Sequence, residues 1–198
     1  MKKIISLTLA LLILSSFSVF AGEPSEWAKD LIDENMVSYL NNTGITIDYQ
    51  KPITREEFAV LSFYVYNQLH DVEYDFEIVN PFKDVNNHII LLAYKLGIVK
   101  GVSDTEFAPE KTITREEICI MLSRVITKKD SLSETEINEV KGSIDTYSDK
   151  AQVSEWALPY VEYAVKNNIM KGVSDTEISP KSECTFEQAL VLCSRIIK

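Results

Sequence analysis

The heptapeptide KGVSDTE occurs at 100–106 and again, letter for letter, at 171–177. It belongs to a longer copy: "LGIVKGVSDTEFAPEKTITREEICIMLSRVI" at 96–126 matches "NNIMKGVSDTEISPKSECTFEQALVLCSRII" at 167–197 with a constant offset of 71. A third copy lies at an offset of 60, where "KPITREEFAVLSFYVYNQL" at 51–69 aligns with "KTITREEICIMLSRVITKK" at 111–129. Upstream, "SEWAKDLIDENMVSYL" at 25–40 resembles "SEWALPYVEYAVKNNI" at 154–169. Periods of this length mean stacked supersecondary units. Units with so few apolar positions bury their faces only against one another.

Each unit reads as helix, loop, helix. Behind the threonine of each second helix, apolar residues recur at helical spacing. They are Phe58, Leu61, Val65 and Leu69 in repeat one, Ile118, Met121, Leu122, Val125 and Ile126 in repeat two, and Ala189, Leu192, Cys193, Ile196 and Ile197 in repeat three. Thr54, Thr114 and Thr185 are each followed three residues later by Glu57, Glu117 or Gln188, the capping-box signature. The first helix follows Trp27 or Trp156; Pro159 fits only near a helix start. Repeat two carries "NNHIILLAYKLG" there, without a tryptophan and about a turn shorter. The stretch 128–145 reads equally as a short polar helix or a solvated linker.

Lys2 and Lys3 precede an apolar run from Ile4 to Phe20 that ends at Ala21-Gly22, the pattern of a secretory leader cleaved after Ala21. At about 17 residues the run is marginal as a span, which needs ~20. No other stretch is apolar enough to cross a membrane. Cleavage would leave 18 basic residues against 30 acidic ones, a net charge of −12. A surface this acidic argues against non-specific nucleic-acid binding, and an anionic ligand would have to be captured by local cations. The three cysteines, Cys119, Cys184 and Cys193, cannot form a fully paired framework. They fall over the apolar positions Leu190, Ile113 and Leu122 of the repeat alignment, so they read as core filler. His70 and His88 have no ligand spacing with them, and neither a metal nor a cofactor is expected.

No phosphate-cradling glycine loop or nucleophile elbow is present, and the paired acids Glu56-Glu57 and Glu116-Glu117 read as a solvated face. Asp104, Glu106 and their copies are too few for a calcium loop, which Ala108-Pro109 also interrupts. The loop reads as a turn: Gly101 supplies a left-handed backbone, and Ser103 and Asp104 bond to nearby amides. Capping accounts for the threonines but not for Arg55 and Arg115. These place a cation in the first helical turn, where the helix dipole disfavours it. Either each pairs with a neighbouring carboxylate, or each joins exposed first-turn amides in an anion pocket. Repeat three has Phe186 at that position.

The order "SEWA", "GVSDTEFAP", "ITREE" resembles the S-layer homology module, over roughly 24–198. Repeat two carries the resemblance best, through Phe82, Asp84, Gly101, Phe107, Pro109 and Ile113 to Glu117. Repeat three retains Tyr147, Asp149, Trp156-Ala157, Gly172, Pro180 and Thr185, whereas repeat one keeps Trp27-Ala28 and 53–58 but lacks the loop. The resemblance implies a mainly α fold: three helix-loop-helix repeats packed as a pseudo-threefold bundle, with the second helices central and grooves between repeats. The expected division is a leader at 1–21 and repeats at 22–72, 80–128 and 133–198. It implies a non-catalytic, secreted, cell-wall module that binds secondary cell-wall polysaccharide, often through a pyruvylated sugar whose carboxylate meets the basic residue of the "ITRAE"-like motif. By position that residue is Arg55 or Arg115. Asp84, Asp149, Gly101 and Gly172 are expected at the grooves, and Trp156 would either stack on a sugar or pack in the helix. Phe186 and the shortened helix of repeat two reduce the expectation to one or two competent grooves. The competing reading is a surface scaffold for other proteins, with repeats that are only structural.

Overall fold

A computed structural model describes residues 22–70, 77–130 and 134–197; the leader expected at 1–21 lies outside them. The described residues are mainly helical: α1 (Glu26–Lys29), α2 (Glu34–Asn42), α3 (Arg55–Leu69), α4 (His88–Lys95), α5 (Arg115–Asp130), α6 (Glu134–Glu139), α7 (Leu158–Lys166) and α8 (Phe186–Ile197), with a 3-10 turn at Lys150–Gln152.

The three capping boxes form. The side chains of Thr54, Thr114 and Thr185 accept from the backbone of Glu57, Glu117 and Gln188, and those side chains accept in return from the threonine amides. Each such cap is worth about 0.5–2 kcal/mol. Pro159 stands in the first turn of α7, where a missing amide hydrogen costs nothing. The stretch 128–145 contains the short α6, which packs on α7.

Repeat one departs from the expected single first helix. Its segment breaks after Lys29 and restarts at Glu34, because the Asp33 side chain accepts from the Met36 amide at 3.0 Å and caps a new helix. The Asp33 backbone amide donates to the hydroxyl of Ser194 in repeat three, so the break also docks the segment on α8.

The segments preceding the second helices meet in a ring. The Ile53 amide donates to the Cys184 carbonyl at 2.9 Å, Cys184 to Ile113 at 3.0 Å, and Ile113 back to Ile53 at 3.2 Å. Isolated antiparallel bridges join the same segments pairwise: Pro52 with Thr185, Thr54 with Thr112, and Thr114 with Glu183. From the ring α3 runs against α5 and α8. α4 packs on α3, α7 on α5 and the short α1 on α8, each on the second-type helix of the preceding repeat, whereas α2, the second part of repeat one's broken segment, packs on α3 of its own repeat. Phe58, Phe107, Phe186, Ile53, Ile113 and Ile118 are among the side chains buried completely or nearly so within one continuous core. Removing a side chain of this size from water contributes about 1.5–3 kcal/mol. Cys119, Cys184 and Cys193 are free and buried in that core, as their repeat positions require. Burial pushes the thiols of Cys119 and Cys184 up to about 12.

The copied loop corrects one expectation. Neither Gly101 nor Gly172 is left-handed; the left-handed residue after the first helix is Gly97 or Asn168, one repeat offset apart. Gly101 and Gly172 are required by close approach. A Cβ on Gly172 would lie 2.4 Å from the Ser174 carbonyl oxygen and 2.6 Å from both the Glu177 oxygen and a Tyr147 ring carbon, and Gly101 has matching neighbours, with Phe82 as the ring. The loop is closed by backbone bonds, Val102 to Glu106 at 2.8 Å and Val173 to Glu177 at 2.8 Å, with Ser103 and Ser174 hydroxyls accepting from Thr105 and Thr176. Gly172→Ala is expected to lower the unfolding free energy by about 2 kcal/mol. Urea titration monitored by circular dichroism measures this, and an unchanged midpoint would contradict the close-approach account.

Candidate functional site

The first helical turns are already occupied. Arg55, Arg115 and Phe186 donate their backbone amides to Lys111, Ser182 and Lys51, and Glu56, Glu116 and Glu187 donate theirs to Pro109, Pro180 and Tyr49. With the third amide bonded to the capping threonine, these turns offer a ligand no open N–H row, and that part of the expected anion pocket falls away. The arginine side chains take neither of the two expected partners directly. Arg55 Nε donates to the Phe107 carbonyl at 3.0 Å and Nη2 to Lys100 at 3.0 Å. Arg115 Nε donates to Ile178 at 2.9 Å and Nη2 to Lys171 at 2.7 Å. Each guanidinium therefore grips both ends of the copied loop in the next repeat. Arg55 also lies 4.9 Å over the Phe107 ring. Burial lowers the pKa of Arg55 from its ordinary value, the Arg124 charge adding to the effect against the nearby carboxylates.

This arrangement explains Phe186. The residue that would be gripped from position 186 is the loop of repeat one, and repeat one has no copied loop. Phe186, only 2% exposed, fills the core there instead. Arginine and gripped loop are present together at two of the junctions between successive repeats and absent together at the third.

Asp84 and Asp149 hold the far end of the loop. Asp84 accepts from the amides of Phe107 at 2.9 Å and Ala108 at 2.7 Å, and Asp149 from Ile178 at 3.0 Å and Ser179 at 2.7 Å. Ala108 and Ser179, matched one repeat apart, carry positive φ of 59° and 51°, a conformation these carboxylates help to fix. The Phe107 amide first, with Ala108 and Arg55, holds the Asp84 carboxyl below its usual range. Burial pushes Asp149 up, but the amides of Ile178 and Ser179 and the Arg115 charge outweigh it, and it too lies below that range.

One groove of about 490 Å³ collects these parts. Its wall is α8, through Glu187, Gln188, Val191 and Arg195; repeat three's loop contributes Lys171 and Gly172, repeat two contributes Arg115, and repeat one contributes Trp27 and Gln50. Arg115 is 5% exposed. Its Nε and Nη2 are engaged, whereas Nη1 has no partner among the described residues. Glu187 is occupied by the Ser25 amide and hydroxyl at 2.9 Å each and by Gln50 Nε2 at 3.3 Å. Trp27 is half-exposed at the mouth. A second hollow of about 610 Å³, between the start of the described chain and α2, is lined by Glu23, Asp30 and Glu34 and has the wrong charge for an anion.

The equivalent positions around α5 bring together Arg55, Gly101, Glu116, Arg124 and Trp156. Glu116 accepts from the amide and hydroxyl of Ser154 at 3.0 Å each, as Glu187 does from Ser25. Lys181 pairs with Glu116 at 2.6 Å and lies 5.9 Å from the centre of the Trp156 ring. Trp156 is half-exposed, so it lies free of the core, as the stacking alternative requires. Around α3 the matching positions are Phe186, Ile89, Glu110 and Glu56, the last bonded by Asn87 Nδ2 at 2.9 Å; tryptophan and arginine are both gone. Sequence reasoning missed Trp27, Lys171 and Arg195. The repeat alignment holds the signal for two of them, since Trp27 lies over Trp156 and Arg195 over Arg124.

If arginine and loop form one unit, Phe186→Arg cannot install a third site. It would bury a cation with no loop carbonyls to receive it and cost about 3 kcal/mol. Thermal unfolding measures the loss, and a variant as stable as the parent would contradict the pairing.

Among the described residues no helix is long and apolar enough to cross a membrane, and no group of three or more His, Cys, Asp or Glu could hold a metal ion. The family model for the S-layer homology domain matches residues 81–119 and 146–190, the segments holding the two Asp-pinned, Arg-gripped loops. The chain is 28% identical over 193 residues to the surface-layer 125 kDa protein of Lysinibacillus sphaericus, covering 93% of this chain and 15% of that one. It is 29% identical over 175 residues to an endoglucanase of Bacillus sp. strain KSM-635, 86% of this chain and 17% of that one. A surface layer protein of Brevibacillus choshinensis is 26% identical over 102 residues, 52% of this chain and 8% of that one. The chain thus spans less than a fifth of the length of these relatives. The chain shares this limited region with both surface-layer proteins and an enzyme, and the two segments that match the S-layer homology domain are those that carry the gripped loops.

Proposed function

We propose that this chain is a non-catalytic anchoring module, exported to the bacterial cell surface, that holds anionic secondary cell-wall polysaccharide in grooves between its repeats. The observation that carries this reading is the α8 groove: a nearly buried guanidinium with Nη1 unpartnered among the described residues, beside the half-exposed Trp27. A guanidinium suits a carboxylate or phosphate by geometry as well as charge, and an exposed indole is a natural platform for a sugar face. On a chain with a net charge of −10 such a pocket is a local exception, which favours selective over diffuse anion binding. A pyruvylated sugar, whose ketal carries one carboxylate on a compact ring, meets both requirements.

The ring of backbone bonds supports reading the three units as related about one axis, with repeats at 22–72, 80–128 and 133–198. On that reading the grooves on α5 and α8 are competent and the one on α3 is not. A surface relative and an enzyme share this region, which supports a region that localises rather than one that reacts.

The test is retention of the full chain on purified wall polymer before and after chemical removal of the pyruvyl groups. Retention is expected before removal and at least tenfold less after it. Equal retention on both would overturn the carboxylate, and retention on neither would overturn the wall reading in favour of a protein-binding scaffold.

A further inference from the structure

The α8 groove holds a second guanidinium. Arg195 lines the same cavity as Arg115, on α8. Arg195 Nη1 donates to the Ile169 carbonyl at 3.0 Å, while Arg115 Nη2 donates to the Lys171 carbonyl. Carbonyls two residues apart lie within about 7 Å of each other along the chain, so one short segment holds both guanidiniums, and both line the same cavity. Neither has a carboxylate partner among the described residues. Glu187, the acid among the residues lining the cavity, spends both oxygens on Ser25 and Gln50. Burial first, and then the Arg115 charge, lowers the pKa of Arg195 from its ordinary value.

Two neighbouring guanidiniums repel one another unless an anion lies between them. The arrangement is also repeated. Arg124 on α5 stands one repeat offset before Arg195, and its charge bears on Arg55 as that of Arg115 bears on Arg195. In repeat one the matching residue is Tyr64, buried against Tyr39, in the same groove where Phe186 replaces the first arginine. Both cations are lost together where the loop is lost.

We propose that Arg195 is a second ligand of the α8 groove, so that one oxyanion is held between its guanidinium and that of Arg115, with Arg124 and Arg55 forming the equivalent clamp on α5. The inference rests on the anion-binding reading of the grooves but not on the source of the anion. A carboxylate ketal and a phosphate group share the chemistry the clamp selects.

The experiment is a titration of the full chain, labelled with nitrogen-15, against inorganic phosphate and separately against sodium pyruvate, observing the arginine Nε–H signals. The Arg115 and Arg195 signals should shift together along one saturation curve with at least one probe; the probe with the lower midpoint identifies the anion class. R195Q should raise the midpoint for Arg115 at least tenfold, and R195K should restore part of the loss. Unfolding midpoints of both variants report whether the fold is retained; if R195Q unfolds, the R195K titration decides alone, with an expected midpoint several-fold above the parent. Arg115 shifting unchanged in the folded variant, Arg195 remaining still while Arg115 moves, or no shift with either probe would overturn the clamp. Because the probes are free small anions, a chain that binds them but not wall polymer would refute the wall reading alone.

Discussion

The amides of Ile53, Ile113 and Cys184 each donate to the carbonyl of another member of the trio, and the three bonds close on themselves. A closed ring leaves no edge, so three short segments that could not pair as an open sheet satisfy one another. Two residues beyond the ring each chain enters its second helix. Arg55, Arg115 and Phe186 therefore leave the ring at equivalent points, each aimed at a neighbouring repeat. Because the ring has a direction, so do the contacts built on it: each arginine reaches forward to the next repeat's loop, and α4, α7 and α1 lean back on the preceding repeat's second helix.

That directionality resolves the misplaced cation. An arginine at the start of a helix is unfavourable to that helix, yet Arg115 draws its stabilisation from two carbonyls more than fifty residues away. Charge-assisted bonds of this kind are worth roughly 1.5–3 kcal/mol each, more than the surface dipole term they oppose. Among the described residues the Nη1 of the same guanidinium has no partner, at the α8 groove. On the proposed reading, holding the loop and presenting an anion site are one structural act, and a repeat whose successor lacks the loop has no reason to keep the arginine.

Much of this was legible in the residues. The capping threonines, the apolar stripes of the second helices, the core cysteines and the position of Pro159 follow local rules, and the repeat alignment extended them across the chain. The partner of each arginine was not legible, because backbone carbonyls carry no residue signature. The choice between carboxylate pairing and an anion pocket lacked the third option that the fold supplies. Gly101 and Gly172 were read through backbone handedness, the commonest reason for a glycine after a helix; their actual constraint is a ring and two carbonyls brought close only by folding. The break at Asp33 was hidden by the likeness of 25–40 to 154–169, although the capping aspartate itself was in view. Trp27 could have been found, since it lies over the candidate Trp156, and Arg195 only by noticing that the repeat offset sets it over another arginine, Arg124.

Two of the three inter-repeat grooves are proposed as anion sites, and the third is filled by Phe186. Titration calorimetry of the chain with a short wall-polymer fragment carrying a single acidic group addresses this directly. The account requires two fragments bound per chain. One or three bound per chain, or an unchanged isotherm when the acidic group is removed, would contradict it.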